Sequence, residues 1–268
     1  MSADPSVARA ATALFDARSS RAPIQPISET FEVTDPELAY AVQEANTARW
    51  VADGRKLVGR KIGLTSEAVQ RQLGVDQPDY GMLWGDLGFE SGAVVPIERF
   101  LQPRVEAEVA FVMASALDTP DATLEDVAGA IDHAVAAVEI VDSAIADWKI
   151  TLADTIADNA SGGGFVLGTD QHELADIDLE GCRMALSQNG TVVSEGVGSA
   201  CLGNPLNAVL WLARKMEEVG RPLSQGDVVL SGALGPMVDA RAGDRIYVEI
   251  QGFAPLELDF RGAGKDVG

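Results

Sequence analysis

The chain is poor in the residues that hold soft metals: two cysteines, Cys182 and Cys201, and two histidines in 268 residues. Neither a Cys-x-x-Cys pair nor a histidine-rich stretch is present. This excludes a disulfide framework and a structural zinc site, and it fits a reducing compartment. Apolar runs approaching the roughly 18 residues of a membrane span are also missing. The first 20 residues, MSADPSVARAATALFDARSS, mix charge into an alanine-rich helical pattern instead of forming an apolar signal core. A soluble, unprocessed, cytoplasmic protein is the expectation. Positive charge is scarce, with 20 Lys and Arg against 41 Asp and Glu and a net charge of −21. That balance opposes binding to nucleic acid or to an anionic membrane surface, and it leaves small molecules as the expected partners. The SGGG run at 161–164 lacks the Gly-Lys-Ser/Thr that a phosphate-binding loop requires. Internal repeats, low-complexity tracts and interdomain linkers are absent as well.

What is present suits one large core, since 47% of the residues are hydrophobic. Residues 1–53 read as helices, the second opening at Pro36 after a Thr34-Asp35 cap, with Leu38, Val42 and Ala45 at helical spacing. KLVGRKIGL reads as a strand, SEAVQRQLG as a helix, and the Asp-, Gly- and Pro-rich VDQPDYGMLWGDL as a loop. Leu124, Val127, Ile131 and Val135 recur at spacings of three and four, which predicts an amphipathic helix over 119–137 carrying His133 and feeding a strand VEIV. Strands follow around FVLG, on both sides of the Asn189-Gly190 turn signal, in VVLSGAL and through the tail DRIYVEIQGFAPLELDF. NAVLWLARKMEEVG is a helix between them. The expected class is α+β, with a helical N-terminal segment (1–53) and a mixed-sheet domain (54–268). His133 and His172, the latter in a polar loop, read as structural.

RVEAEVAFVM sets two glutamates two apart in an apolar run. On a helix they would diverge by about 200°, but on a strand they share a face roughly 6.5–7 Å apart. Val105, Ala107, Val109 and Phe111 then form one face, and Glu106, Glu108, Ala110 and Val112 the other. Like charges that close raise one another's pKa unless a cation or a proton relieves them. Glu139, in AVAAVEIVDS, is a third carboxylate in apolar surroundings. Three carboxylates suit Mg²⁺ or Mn²⁺ and not zinc. Spacing by itself leaves a second reading open, in which Glu106 and Glu108 line the wet side of an edge strand and Glu139 is unrelated to them.

Taken together, GRKIGLTSEAVQRQLGVDQPDYGML, LQPRVEAEVAFV, DWKITLADTIADNAS, CLGNPLNAVLWLARKM and LSGALGPMV resemble, in order and spacing, the 2-hydroxypenta-2,4-dienoate hydratases of the fumarylacetoacetate hydrolase superfamily. The resemblance covers nearly the whole chain. It implies a fumarylacetoacetate hydrolase-like mixed β-sheet fold and a divalent metal, Mg²⁺ or Mn²⁺, on Glu106, Glu108 and Glu139. It also implies a proton-transfer pair in Lys61 and Asp79, and a substrate contact at Ser161. The implied activity is hydration of a 2-hydroxydienoate in meta-cleavage catabolism of aromatic compounds, by a homo-oligomer able to associate with other enzymes of the same route. The 2-oxo-3-hexenedioate decarboxylases share these motifs and remain an alternative, and so does a non-catalytic metal-binding subunit. Carbon–carbon hydrolases of the superfamily use a histidine with an acidic partner, and no histidine precedes position 133 here. The wording GALGPM is closer to the hydratases.

Overall fold

The computed structural model describes residues 4–66, 70 and 77–262. Helix α1 (Pro5–Ser20) starts where the Asp4 carboxylate accepts the Ser6 N–H, and α3 (Pro36–Ala52) starts where Asp35 does the same for Glu37. In both, a proline fills the first turn, where its missing N–H costs nothing. A single turn, α2 (Ile27–Thr30), lies between them. These helices, with Val33 of the connection between α2 and α3, bury Val7, Leu14, Ile27 and Val42 against Ile145, Ile156 and Ala157 of the remaining chain, so the N-terminal segment shares a core with it.

Two sheets make up the body. The larger runs in the order β2 (Asp79–Trp84), β1 (Leu57–Gly63), β10 (Val228–Leu230), β5 (Arg104–Met113), β6 (Ile131–Val141), β7 (Gly162–Leu167), β3 (Gly88–Glu90). Strand β11 (Val238–Asp239) also pairs with β5, further along the edge that β10 occupies. The smaller sheet is ordered β4 (Ala93–Pro96), β13 (Leu256–Arg261), β12 (Arg245–Ile250), β8 (Arg183–Gln188), β9 (Thr191–Val197). Val105, Ala107, Val109 and Phe111 of β5 enter the main core with Ile246, Val248, Leu258 and Phe260 of the smaller sheet and with helix α6 (Pro205–Glu218). The opposite face of β5 carries the glutamates, and beyond them a small apolar cluster containing Ala110, Val135, Phe165 and Leu230. Alternation along one strand therefore separates core from site.

The hairpin between β8 and β9 turns at Asn189 and Gly190, both at positive φ (54° and 81°), the backbone a tight two-residue turn demands. Two readings need correction. The helix expected over 119–137 is only α4 (Leu124–Ala130), opened by a Thr123/Asp126 capping box, and Ile131 begins an eleven-residue strand. In β6, Ile131, Val135, Val138 and Ile140 fill positions buried on both faces between β5 and β7, so neighbouring strands override a helical spacing. His133 is accordingly a strand residue, bonded to Asp132 at 2.7 Å. The second correction concerns the supposed loop VDQPDYGMLWGDL, of which Asp79–Trp84 is the wholly buried strand β2. Its glycine is a consequence of close packing and not of a turn. Most of the helix expected in SEAVQRQLG lies outside the described residues.

Candidate active site

Glu106 and Glu139 are direct cross-strand partners on β5 and β6, and Glu108 follows two residues along the same face. Like charges placed opposite each other on neighbouring strands are destabilising unless something neutralises them. Here one carboxylate oxygen from each of the three lies within 4.8 Å of the others. Glu108 and Glu139 are fully buried and Glu106 is partly exposed, which leaves the cluster a single wet side. Burial foremost, then Glu139, raises the Glu106 pKa to about 7. The same two causes push Glu108 well above the ordinary carboxylate range, with Glu106 adding to them. Burial also raises Glu139, against the pull of Lys61. Arg104 shares the alternation of Glu106, but its guanidinium lies over the Trp148 ring and pairs with Asp239, so it does little for the cluster.

The chain running from β10 to β11 shapes the floor. After Leu230 it leaves regular pairing, with Ser231 N–H donating to Val109 and Leu234 N–H to Ala107, while Gly232 N–H turns to the Glu108 carboxylate at 2.8 Å. Gly232 adopts φ +114°, and a Cβ there would sit 2.3 Å from Thr65 Oγ1, so only glycine can present that N–H. Behind Glu108 the Cys201 thiol donates to Ser231 O, its pKa pushed up to about 12 by burial and by Glu108. It is a packed thiol and not a ligand.

Lys61 reaches the cluster from β1. Its Nζ donates to Ala160 O at 2.8 Å and lies 3.2 Å from Glu139 Oε1. Burial pulls the pKa of this lysine down, but Glu139 foremost, and then Asp79, Glu106 and Glu108, raise it overall and keep it an ammonium. Asp79 lies beside it on β2. The register places Lys61 opposite Gly81 and Asp79 opposite Gly63, so each charged side chain crosses a glycine. A Cβ on Gly63 would stand 2.2 Å from Asp79 Oδ1 and 3.1 Å from Lys61 Nζ. Both Asp79 oxygens are buried without a well-formed hydrogen bond among the described residues; burial raises the pKa, while Lys61 and then the backbone N–H groups of Asp79 and Gly63 lower it.

The fourth wall is the run Asn159–Ser161, whose three non-glycine residues all hold left-handed φ of 51° to 59°. Such backbone is costly and persists only when its surroundings over-determine it. Asn159 does this from within, its side chain accepting from Met82 N at 2.7 Å and donating to Met82 O at 3.0 Å. Ser161 O accepts from Asp142 N. The result aims Ala160 O at Lys61. Ser161 is buried beside this wall with its Oγ 3.0 Å from Thr155 Oγ1, so its hydroxyl is engaged by a neighbour. Behind the wall, Arg18 of α1 ties Asp142 (3.0 Å) and Asp158 (2.8 Å) together.

The structure thus brings Lys61, Asp79, Glu106, Glu108 and Glu139 together and puts Ser161 in the adjoining wall. Four acidic groups surround one ammonium; Glu108 Oε1 and Glu139 Oε2 lack a donor among the described residues, and Glu139 Oε1 has only the Lys61 ammonium. Hard oxygen ligands, excess negative charge and unsatisfied acceptors fit a divalent hard cation. Sequence reasoning missed Asn159, Gly63, Gly81 and Gly232. The only available signal was Lys-x-Gly and Asp-x-Gly repeating the spacing of Glu-x-Glu.

Comparison with known proteins gives the geometry its context. Residues 51–261 match the family model described as fumarylacetoacetate (FAA) hydrolase C-terminal. The chain is 52% identical over 254 residues to the TodF product hydratase of Pseudomonas putida, covering 95% of each. It is 51% identical to 2-keto-4-pentenoate hydratase 2 of Dechloromonas aromatica, covering 94% of this chain and 96% of the relative. Among solved structures, 4-oxalocrotonate decarboxylase from Pseudomonas putida G7, complexed with magnesium and adipate, superposes with a TM-score of 0.91 at 33% identity over 95% of this chain and 97% of that one.

Proposed function

This chain belongs to the fumarylacetoacetate hydrolase family, and from that membership and the site geometry we propose that it is a metal-dependent hydro-lyase of the 2-keto-4-pentenoate hydratase type. It adds water to 2-hydroxypenta-2,4-dienoate to give 4-hydroxy-2-oxopentanoate. The observation that carries the reading is the convergence of one buried ammonium and four acidic groups on one face of one sheet, with acceptors left unsatisfied among the described residues. Residues 54–268 form the catalytic unit and residues 1–53 a helical segment packed on it.

Glu106, Glu108 and Glu139 are the residues that would hold the cation, Mg²⁺ or Mn²⁺. When bound, it supplies Lewis-acid stabilisation of negative charge on the C2 oxygen of the substrate. The chain's own residues handle the protons. In the net reaction the C2 hydroxyl loses a proton and C5 gains one, giving an α,β-unsaturated ketone. Water oxygen then bonds to C4 and a proton to C3. Lys61 is charged at rest and is the donor, while Asp79, buried beside it, is the acceptor that returns protons. Ala160 O fixes the ammonium, and Gly63 and Gly81 leave room for its stem. Ser161 lines the substrate side of the wall. The working form is a cytoplasmic homo-oligomer that can associate with enzymes of the same route in aromatic catabolism. Among the described residues no helix is long and apolar enough to cross a membrane.

Decarboxylation of 2-oxo-3-hexenedioate is the second reading, favoured by the superposition on the magnesium-bound decarboxylase. Both substrates present a carboxylate beside an oxygen, so the bond made or broken decides between them. Purified protein with Mg²⁺, given each substrate in labelled water, is expected to incorporate ¹⁸O into 4-hydroxy-2-oxopentanoate and to release little CO₂ from the dicarboxylic acid. Rapid CO₂ release with negligible hydration would overturn the hydratase reading and leave the metal site standing. No turnover of either substrate would leave a metal-binding subunit.

A further inference from the structure

On the opposite side of the large sheet from Lys61, four of the chain's 20 lysines and arginines line one cavity of about 330 Å³: Arg18, Arg21, Arg55 and Arg99. The two sides are distinguished by alternation on β2, where Asp79, Gly81 and Leu83 face the site or its apolar floor while Tyr80, Met82 and Trp84 join the main core. Trp84 and Trp50 form the cavity's aromatic wall, with the Arg55 guanidinium 4.8 and 5.2 Å from their ring centres. In a chain of net charge −21, such a concentration of guanidinium groups departs from the surrounding surface.

Asp142 and Asp158 engage all three guanidinium nitrogens of Arg18, but internal carboxylates leave donors on Arg21, Arg55 and Arg99. Asp86 serves both Arg55 (3.0 Å) and Arg99 (3.3 Å), and Asp142 is held by Arg18 and by the N–H groups of Leu101 and Gln102. Arg55 Nη2 is buried beside the indoles without an acceptor, and Arg21, exposed at the end of α1, has no ion pair among the described residues. A guanidinium is always charged, is weakly hydrated and presents paired N–H groups that match an oxyanion, so donors arranged around a small recess favour such a guest. We propose that this cavity is a binding site for a small oxyanion carrying two negative charges, either free phosphate or an organic dicarboxylate. Asn159, Gly162 and Gly163 form part of the same wall, next to the Ala160 carbonyl that accepts from Lys61, so guest and catalytic lysine share one loop. This inference is independent of which reaction the site catalyses.

The test uses metal-loaded protein labelled with 5-fluorotryptophan. Its four indoles, Trp50, Trp84, Trp148 and Trp211, are assigned by single Trp→Phe variants. Inorganic phosphate and succinate are titrated separately at constant ionic strength. The ¹⁹F resonances of Trp50 and Trp84 are expected to shift saturably while that of Trp211 stays still. Arg21→Gln and Arg99→Gln should each weaken binding by about tenfold, the order expected when one charged contact is lost. Lys61→Met should leave binding intact, which separates this cavity from the catalytic side, where a carboxylate could also bind. Saturation by phosphate only identifies a phosphate site, and by succinate only a dicarboxylate site. No saturable shift with either probe, or shifts that survive both arginine variants, would overturn the proposal. So would loss of binding in Lys61→Met with retention in the arginine variants.

Discussion

At the scale of single residues, the cluster depends on Glu108 Oε1 and Glu139 Oε2, acceptors without a donor among the described residues. Glu106→Gln and Glu108→Gln keep shape while removing ligand charge and like-charge repulsion, so each is expected to lower Mg²⁺ or Mn²⁺ affinity strongly while the metal-free protein unfolds at the same or a higher temperature. Calorimetric titration beside a thermal melt checks this, and unchanged affinity in both variants would return the pair to a solvated edge. Lys61→Met retains most of the stem and deletes the proton. General acid–base groups contribute ~10²–10⁴ in rate, so the loss should fall on kcat while metal affinity is preserved. A variant keeping more than about half of the original kcat would remove Lys61 from the mechanism.

At the scale of elements, the decisive piece is the left-handed run between α5 (Leu152–Ala157) and β7. Its conformation opposes the preference of three L-residues and is held by two Asn159 hydrogen bonds to the backbone of β2. Asn159→Ala leaves the Met82 N–H and C=O buried without partners, at about 1–3 kcal/mol for each group left unsatisfied. It also frees Ala160 O from its aim at Lys61. The expectation is a lower midpoint in urea together with a fall in kcat, whereas Asn159→Asp, which keeps the acceptor for Met82 N, should retain more of both. A variant that loses stability without losing kcat would make the run a structural turn only.

At the scale of the whole molecule, the buried acids link stability to pH and to metal. Glu106 is raised from its ordinary 4.5 to about 7, and Glu108 and Glu139 are raised as well. A carboxyl whose folded pKa is raised holds its proton in the native state after the unfolded chain has released it. Its contribution is fully present below about pH 4.5 and is lost as pH rises through the folded values, so the metal-free protein weakens over that window. A divalent cation replaces those protons. The rise in melting temperature on adding Mg²⁺ should therefore be larger at pH 8 than at pH 5.5, and an equal rise at both would contradict the linkage. The same molecule couples its N-terminal helix to the site wall through Arg18, Asp142 and Asp158, where the Asp158 carboxyl, raised chiefly by burial, sits at about 6.

How much of this was legible depends on whether the governing forces are local. The β5 alternation was local: side chains two apart share a face whatever surrounds them, so Glu106 and Glu108 could be paired from RVEAEVAFVM, and Asp35-Pro36 and Asn189-Gly190 named their cap and turn. Wording along the chain similarly named the family, and with it Lys61, Asp79 and Glu139. Tertiary structure decided where pairing replaces propensity. The residues from Ile131 carry helical spacing but become β6 because strands on both sides bury both faces, and Asp79–Trp84 becomes β2 because its glycine is needed for a neighbouring side chain and not for a turn. Glu106 meets Glu139 only through a register set by the whole sheet. The aim of Ala160 O depends on Asn159 reaching a strand 77 positions away. Local chemistry determined which side chains could serve; long-range burial and hydrogen bonding determined that they meet.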